Sequence, residues 1–318
     1  MKEAKNIKLS LAPMAGITDL PFRLVCKKMG ADIVYSEMIS ATGLFYGQNE
    51  KSLLLAQSIK DEAPVAIQLF GNDPKHFAKA TKIISSLNNK KDKNFRKVEE
   101  ININLGCPAR KVFKENSGCA LMKKPALAKK IIEAVSKNTD LPVSIKIRAG
   151  IKSIEAIEFL KEIEGTGWDK VIVHGRTYEE GFSGKIDFEK IKEIKKEFPK
   201  KEIVANGGIF TPEDAKEVIE KTGVRHLAIA RGCWGNPWAF KQIKDYLKTG
   251  KYEKPSLEEI KSVALEHAQL FLKYTPNKNL IAFRKNLGWY FRNFPKAKKM
   301  REELFQVKNL NELKNILK

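Results

Sequence analysis

The sequence predicts an α/β fold: a (β/α)8 barrel, a TIM barrel, followed by a small all-helical domain. Eight short apolar, β-branched segments recur over about 245 residues, each followed by helical material. These segments are apolar rather than cleanly alternating, as strands of a buried parallel sheet should be. After Thr249-Gly250 and Pro255, which mark a linker, the pattern is helical and offers no strand candidate. The expected division is therefore a barrel over 1–248 and a helical domain over 255–318. A doubly wound open sheet is the alternative. In both architectures ligands sit at the carboxyl ends of the strands.

The elements follow in order. Lys8 to Met14 reads as the first strand, and Asp19 to Met29 as its helix with Pro21 in the first turn. Ala31 to Met38 is the second strand, then a mixed loop and helix to Ser58; Pro64 to Phe70 is the third, its helix opening at Asn72-Asp73-Pro74 and running to Leu87. Residues 88–97, with five lysines or arginines, read as an exposed loop. The fourth strand lies in EININLGCPAR (100–110), where alternating apolar residues stop at Gly106 and Pro108, as in a half-buried strand entering a tight loop. Pro125 to Lys137 is its helix. Strands five to eight are 142–148, 169–174, 202–205 and 226–230, with helices at 153–164, 187–198, from Thr211, and 237–247. In the helical domain Ile260, Val263, Ala264, His267, Leu270 and Phe271 share one face.

Composition bounds the function. The 318 residues are 42% hydrophobic, ample for a large core, and carry a formal net charge of +21. That excess favours polyanionic partners, although scattered lysines also reflect a Lys-rich composition. The four cysteines form no C-x-x-C pair and no metal-like spacing with histidine, so no metal site is expected. No disulfide framework is expected either, which points to a reducing, cytoplasmic setting. MKEAKNIKLS lacks the apolar core of a signal peptide, and no run reaches the length of a membrane span.

Chemistry-bearing residues collect at the strand ends. Asn104 and Cys107 follow strand four; Lys146 and Arg148 end strand five; His174 and Arg176 follow strand six; Asn206-Gly207-Gly208 and Arg231-Gly232 end strands seven and eight. Singly, each reads as a strand-end group reaching solvent, and Cys107 as a buried apolar cysteine. Five consecutive strand ends so equipped read as the site of a barrel enzyme. Lys146 interrupts an apolar run and needs an anion or electron-rich partner. The glycines after strands seven and eight, with Arg231, suit a phosphate. A phosphate-bearing cofactor beside Lys146 and His174 follows, flavin above all. Cys26, Cys119, His76 and His226 read as structural.

These residues sit in a longer set of motifs: APMAGITDLPFR (12–23), GADIVYSEM (30–38), IQLFG (67–71), NLGCP (104–108), KIRAG (146–150), HGRT (174–177), NGGI (206–209), ARGCWGNPW (230–238) and RKNLGWYF (284–291). In this combination the chain resembles the tRNA-dihydrouridine synthase family, most closely its bacterial B-type branch, from about Leu11 to Phe294. The resemblance implies an FMN-dependent barrel with a helical tRNA-binding domain; apart from that, no stable protein partner is evident and a monomer is expected. NADPH, or NADH, would reduce the flavin, which passes a hydride to C6 of a tRNA uridine, habitually in the D-loop. It implies Cys107 as the acid that protonates C5. Pro13, Met14 and Ala15 would pack on the flavin ring, with Gln68, Lys146 and His174 on the ring or ribityl chain. Asn206, Gly207, Gly208, Arg231 and Gly232 would hold the phosphate end, and Asn104, Arg148 and Arg176 would face the uridine.

Saturating a conjugated C=C bond takes a hydride on one carbon and a proton on the other, and a thiol with a pKa near about 8.5 stays protonated at neutral pH. Residues 284–301 hold seven lysines or arginines and no acid, interleaved with Trp289, Tyr290, Phe291 and Phe294. This is a pattern for phosphate contact and base stacking, so Arg284, Lys285 and Arg292 are assigned to tRNA. Core packing of some of those aromatics is the alternative. Asn286 stands where the family usually has His, and Tyr178, Glu179 and Glu180 where it commonly has Arg and Gln, which bears on RNA contact. A flavin-dependent reductase of a free pyrimidine or other small molecule, and a non-catalytic RNA-binding barrel, are the competing functions.

Overall fold

The eight predicted strands close, in chain order, into a single parallel barrel. They are β1 Lys8–Leu11, β2 Ile33–Ser40, β3 Val65–Phe70, β4 Val98–Asn104, β5 Val143–Arg148, β6 Lys170–His174, β7 Glu202–Asn206 and β8 His226–Ile229, with β1 paired to both β2 and β8. The structure, a computed structural model, describes residues 7–47, 50–87, 98–292 and 297–318. The expected loop over 88–97, and Phe294 and Lys296 of the basic segment, lie outside those residues.

Local chemistry sets the helices. Asp19 accepts a hydrogen bond from the Phe22 N–H and Pro21 occupies the first turn of α1 (Leu20–Lys28). The outer layer continues with α2 Ala41–Phe45, α3 Pro74–Leu87, α4 Pro125–Ser136, α5 Ala156–Glu162, α6 Phe188–Glu197, α7 Pro212–Thr222 and α8 Ala239–Thr249. Thr211 and Asp214 form a reciprocal capping box on α7, which ends at a left-handed Gly223. α5 starts later than the pattern predicts. Residues 150–151 pair antiparallel with 154–155, and that small ladder takes up the first part of the expected helix.

The strands alternate more strongly than the sequence reading allowed. In β4, Ile101 and Ile103 join the main core between sheet and helices, while Glu100, Asn102 and Asn104 point into the barrel. In β5, Val143, Ile145 and Ile147 face out, while Ser144 bonds Glu100 on neighbouring β4 and Lys146 reaches past β6 to Asn206 on β7. Both faces are buried, so β4 is not the half-buried strand that its alternation suggested. The period of two separates an apolar outside from a polar inside.

Residues 257–317 add α9 Leu257–Tyr274, α10 Arg284–Tyr290, α11 Ala297–Leu304 and α12 Leu310–Leu317. On α9 the predicted face is buried at Val263, Ala264, His267 and Phe271 and half-buried at Ile260 and Leu270. Its core also takes Val25 and Trp238 from the barrel. Phe22 of α1 stacks on His267 at 5.5 Å, and Lys28 pairs with Glu266 at 2.7 Å. Among the described residues no helix is long and apolar enough to cross a membrane.

One buried ion pair positions a wall of the barrel mouth. Arg23 Nε donates to Glu62 at 2.5 Å, and its NH groups donate to the carbonyls of Thr18 and Gln57. Both partners are essentially inaccessible to solvent. Thr18 closes the β1–α1 loop that carries Met14 and Ala15. Glu62→Ala strands a buried guanidinium and is expected to cost about 3–5 kcal/mol, whereas Arg23→Met with Glu62→Leu recovers much of it. Urea unfolding of the three proteins checks this, and equal losses in both variants would contradict it.

Candidate active site

Register places the polar strand ends at one level. Asn104 is opposite Lys146, Arg148 opposite His174, and His174 opposite Asn206. Above them opens a cavity of about 750 Å3. Its lining includes every residue assigned to the cofactor from the sequence: Pro13, Met14, Ala15, Gln68, Lys146, His174, Asn206, Gly207, Gly208, Arg231 and Gly232. Cys107, Asn104, Arg148 and Arg176 line it too. The β7 loop requires glycine: Gly207 has φ +104°, and a Cβ there would lie 2.6 Å from the His174 ring.

Each functional side chain is held. Asn104 accepts hydrogen bonds from the Gly106 and Cys107 N–H groups at 3.2 and 2.9 Å and donates to Gln68 at 2.9 Å. Arg148 donates to the carbonyls of Gly106, Thr177 and Gly181. Arg176 donates to the Gly184 carbonyl and stands 3.5 Å from His174 Nε2. Arg231 donates to the Phe182 carbonyl and lies between the rings of Phe182 and Phe210. Lys146 donates to Asn206 at 2.9 Å, a neutral partner.

The electrostatics are one-sided. Arg110, Lys146, Arg148, Arg176 and Arg231 line the cavity, and no carboxylate is among the described lining residues. Burial, with Arg148 next, pulls the Lys146 ammonium down to about 7. Burial and the neighbouring Lys146 take His174 down to about 2, so its imidazole is neutral. Burial also raises the Cys107 thiol above its ordinary 9.0, against the lowering pull of the Ala109 N–H, Arg148 and Lys146. At neutral pH the cavity therefore offers a protonated thiol, a neutral imidazole and a positive field.

The three residues assigned to RNA from the helical segment stand apart from this cavity. Arg284 donates to the carbonyls of Gln306 and Val307, and Lys285 to that of Gly16 in the β1–α1 loop. Lys285 and Arg292 line a second cavity of about 570 Å3 with Gly288, Trp289, Arg301 and Phe305. Phe291 and Tyr290 are buried in the helical core, as the packing alternative held. Trp289 instead stacks on Trp234 at 4.9 Å.

The sequence reading missed Trp234, Phe182 and Phe210, which line the main cavity. Phe182 and Phe210 are large exposed aromatics in loops after β6 and β7, and aromatics beside strand-end arginines were the available signal. His226 and His76, which had no identifiable partner in the sequence, bond to Glu202 and Thr42 respectively, away from the cavity. Cys26 and Cys119 are buried.

Residues 10–318 match the family model of dihydrouridine synthase (Dus). The chain belongs to the dihydrouridine synthase family. It is 36% identical over 308 residues to tRNA-dihydrouridine synthase B of Pseudomonas aeruginosa, covering 95% of this chain and 89% of that protein. A probable tRNA-dihydrouridine synthase of Rickettsia bellii is 38% identical, with 93% and 90% covered. Synthase B of Pectobacterium carotovorum is 34% identical, with 98% and 95% covered. Among solved structures, histamine dehydrogenase from Rhizobium sp. 4-9 superposes with a TM-score of 0.57 at 11% identity, covering 83% of this chain and 49% of that one, a likeness of fold.

The Lys146 environment gives a sign-definite expectation. A lysine that titrates near 7 is charged below that pH and neutral above it. Sulfate, dianionic throughout, should therefore bind the cavity of the cofactor-free protein more weakly as pH rises from about 6 to 8.5, and Lys146→Met should abolish that step. Calorimetric titration checks it; a pH-independent affinity in the wild type would remove Lys146 as the anion's charge.

Proposed function

We propose that this chain reduces the C5=C6 bond of a uridine in tRNA to dihydrouridine, with FMN in the barrel cavity and NADPH or NADH as reductant. Cys107 is the proton donor to C5 in this reading. The observation that carries it is the protonated, half-buried thiol on the wall of a cationic cavity, in a chain of this family.

The residues present fit a flavin phosphate. The paired glycines after β7 line the cavity without side chains of their own, Arg231 adds charge, and no carboxylate is among the described lining residues to neutralise Lys146. Asn206, Gly207, Gly208, Arg231 and Gly232 are the phosphate-end residues, and Gln68, Lys146 and His174 the ring and ribityl partners, with Pro13, Met14 and Ala15 against the ring. Bound there, reduced FMN would supply the hydride that the uridine C6 accepts. Cys107 holds the proton, and Asn104 fixes its backbone. Arg148 and Arg176, each anchored on backbone carbonyls, hold positive charge beside the reacting base without collapsing onto the thiol.

A base inside structured RNA must leave its stack first, at a cost of a few kcal/mol. Residues 255–318 would offset that cost through phosphate contacts of Lys285 and Arg292, and Arg284 would act from its anchored position. The division into a catalytic barrel over 1–248 and this tRNA-binding unit follows. A tRNA substrate argues for the cytoplasm, and each chain carries both a whole cavity and a helical unit, which argues for a monomer.

Nucleoside mass spectrometry on unmodified tRNA incubated with the FMN-loaded protein and NADPH tests the reading. The expected result is a gain of two hydrogens on uridine. With Cys107→Ala, flavin binding and NADPH oxidation persist while product falls by roughly 100-fold or more. Reduction of free pyrimidines with tRNA untouched would overturn the substrate. Product formation by the pre-reduced enzyme should be lost only at high pH, above the ordinary thiol range, because the raised thiol keeps its proton until then. Affinity for tRNA should also fall steeply with salt, and a flat dependence would exclude the basic helical segment as the anchor.

A further inference from the structure

The side chains of β4 that point into the barrel begin a continuous line of hydrogen bonds between the Cys107 loop and the deep interior. At its lower end Glu100, 3% exposed, is paired with Lys170 at 2.5 Å and accepts from Tyr35 at 2.6 Å and from the Ser144 hydroxyl. Asn102 Nδ2 donates to Ser144 Oγ at 2.6 Å, and Gln68 Nε2 donates to Asn102 Oδ1 at 2.6 Å. Asn104 Nδ2 then donates to Gln68 Oε1, and Asn104 Oδ1 accepts from the Cys107 N–H.

Both ends of this line have a fixed sense. A carboxylate paired with an ammonium only accepts, so the single Ser144 proton goes to Glu100 and the Ser144 oxygen must accept from Asn102. That orients Asn102, which orients Gln68, which orients Asn104. At the other end a backbone N–H only donates, so Asn104 must present oxygen to Cys107 and Gly106. Flipping any one amide would set donor against donor at one side and acceptor against acceptor at the other.

We propose that Glu100, acting through Ser144, Asn102, Gln68 and Asn104, is a positioning residue that holds the Cys107 loop in one orientation for proton delivery. This rests on the reading of Cys107 as the acid.

The test uses FMN-loaded, pre-reduced enzyme in single turnover with tRNA. Glu100→Gln removes the acceptor-only anchor. Ser144→Ala cuts the line while leaving Glu100 with Lys170 and Tyr35, and it carries the test if Glu100→Gln does not accumulate as folded protein. In both, the reduction rate should fall roughly 10- to 100-fold, the scale of a misplaced reacting group. The concentration of tRNA giving half-maximal rate should stay within about two-fold, as expected when only transition-state interactions are lost. The solvent deuterium isotope effect should rise, because proton delivery becomes limiting, and Ser144→Thr should restore both readouts. Wild-type rate and isotope effect in Ser144→Ala would overturn the relay. Cys107→Ala, run alongside, separates the two ideas: full activity there sinks the acid itself, whereas a collapsed Cys107→Ala beside an unaffected Ser144→Ala sinks only the relay.

Discussion

Polar side chains aimed into a closed barrel have no solvent to turn to, and this constraint organises the site. At the lower level, charge is neutralised within the wall: Glu100 with Lys170, and Lys170 with Glu202, which also bonds His226. The His226 bond, with Lys170 and Lys8 assisting, holds the Glu202 carboxyl down at about 2. Within the barrel an apolar cluster of Ala12, Tyr35, Ala66, Ile172, Val204 and Ala228 packs beside these pairs. At the mouth the balance changes, with Lys146 and the arginines set against amides, carbonyls and a neutral imidazole. Pairing below and a deficit of acid above leave the open end as the place where an anion lowers the energy.

The helical residues are fixed to that mouth rather than tethered near it. Gly235 sits at φ +66° with the Trp289 carbonyl so close that any Cβ would overlap it, so the β8 loop and α10 meet backbone to side-chain-free backbone. Beside this contact Trp234 stacks on Trp289, and the Trp234 indole N–H points at Met14 Sδ at 3.0 Å. Lys285 reaches the Gly16 carbonyl in the same loop as Met14. One short helix thus touches two loops that wall the cavity. Under the proposed function, the distance from an RNA-reading face to the reacting base is set by packing, which limits how many tRNA positions can reach the thiol.

Much of this was legible in the sequence because barrel periodicity is strong. Apolar β-branched segments with Gly or Pro at their ends located all eight strands, and the barrel rule then placed Lys146, His174 and Asn206 around one cavity. What periodicity alone could not supply was the facing of each strand. EININ and VSIKIR alternate, but a half-buried sheet and a polar-filled barrel produce the same pattern, so Glu100, Asn102 and Ser144 passed as strand filler. The small ladder at 150–155 was hidden because two-residue pairing has no periodic signature. Trp234 and Trp289 were visible as aromatics, yet their contact spans 55 positions of chain and depends on a glycine whose purpose only packing reveals.

Cys107 could in principle serve as nucleophile or acid, and its surroundings distinguish the two. A nucleophilic cysteine needs cations close enough, and dry enough, to favour the thiolate. Here Arg148 is turned onto three carbonyls, and Lys146 titrates near 7, so at neutral pH it lends only part of its charge. Burial outweighs both and moves the thiol upward. Any anionic ligand settling beside Lys146 would cancel more of the cationic pull, holding the proton still more firmly. The site that attracts an anion is thereby the site that keeps its sulfur protonated. A group so arranged is suited to give a proton to a carbon that has just become negative, and poorly suited to attack one.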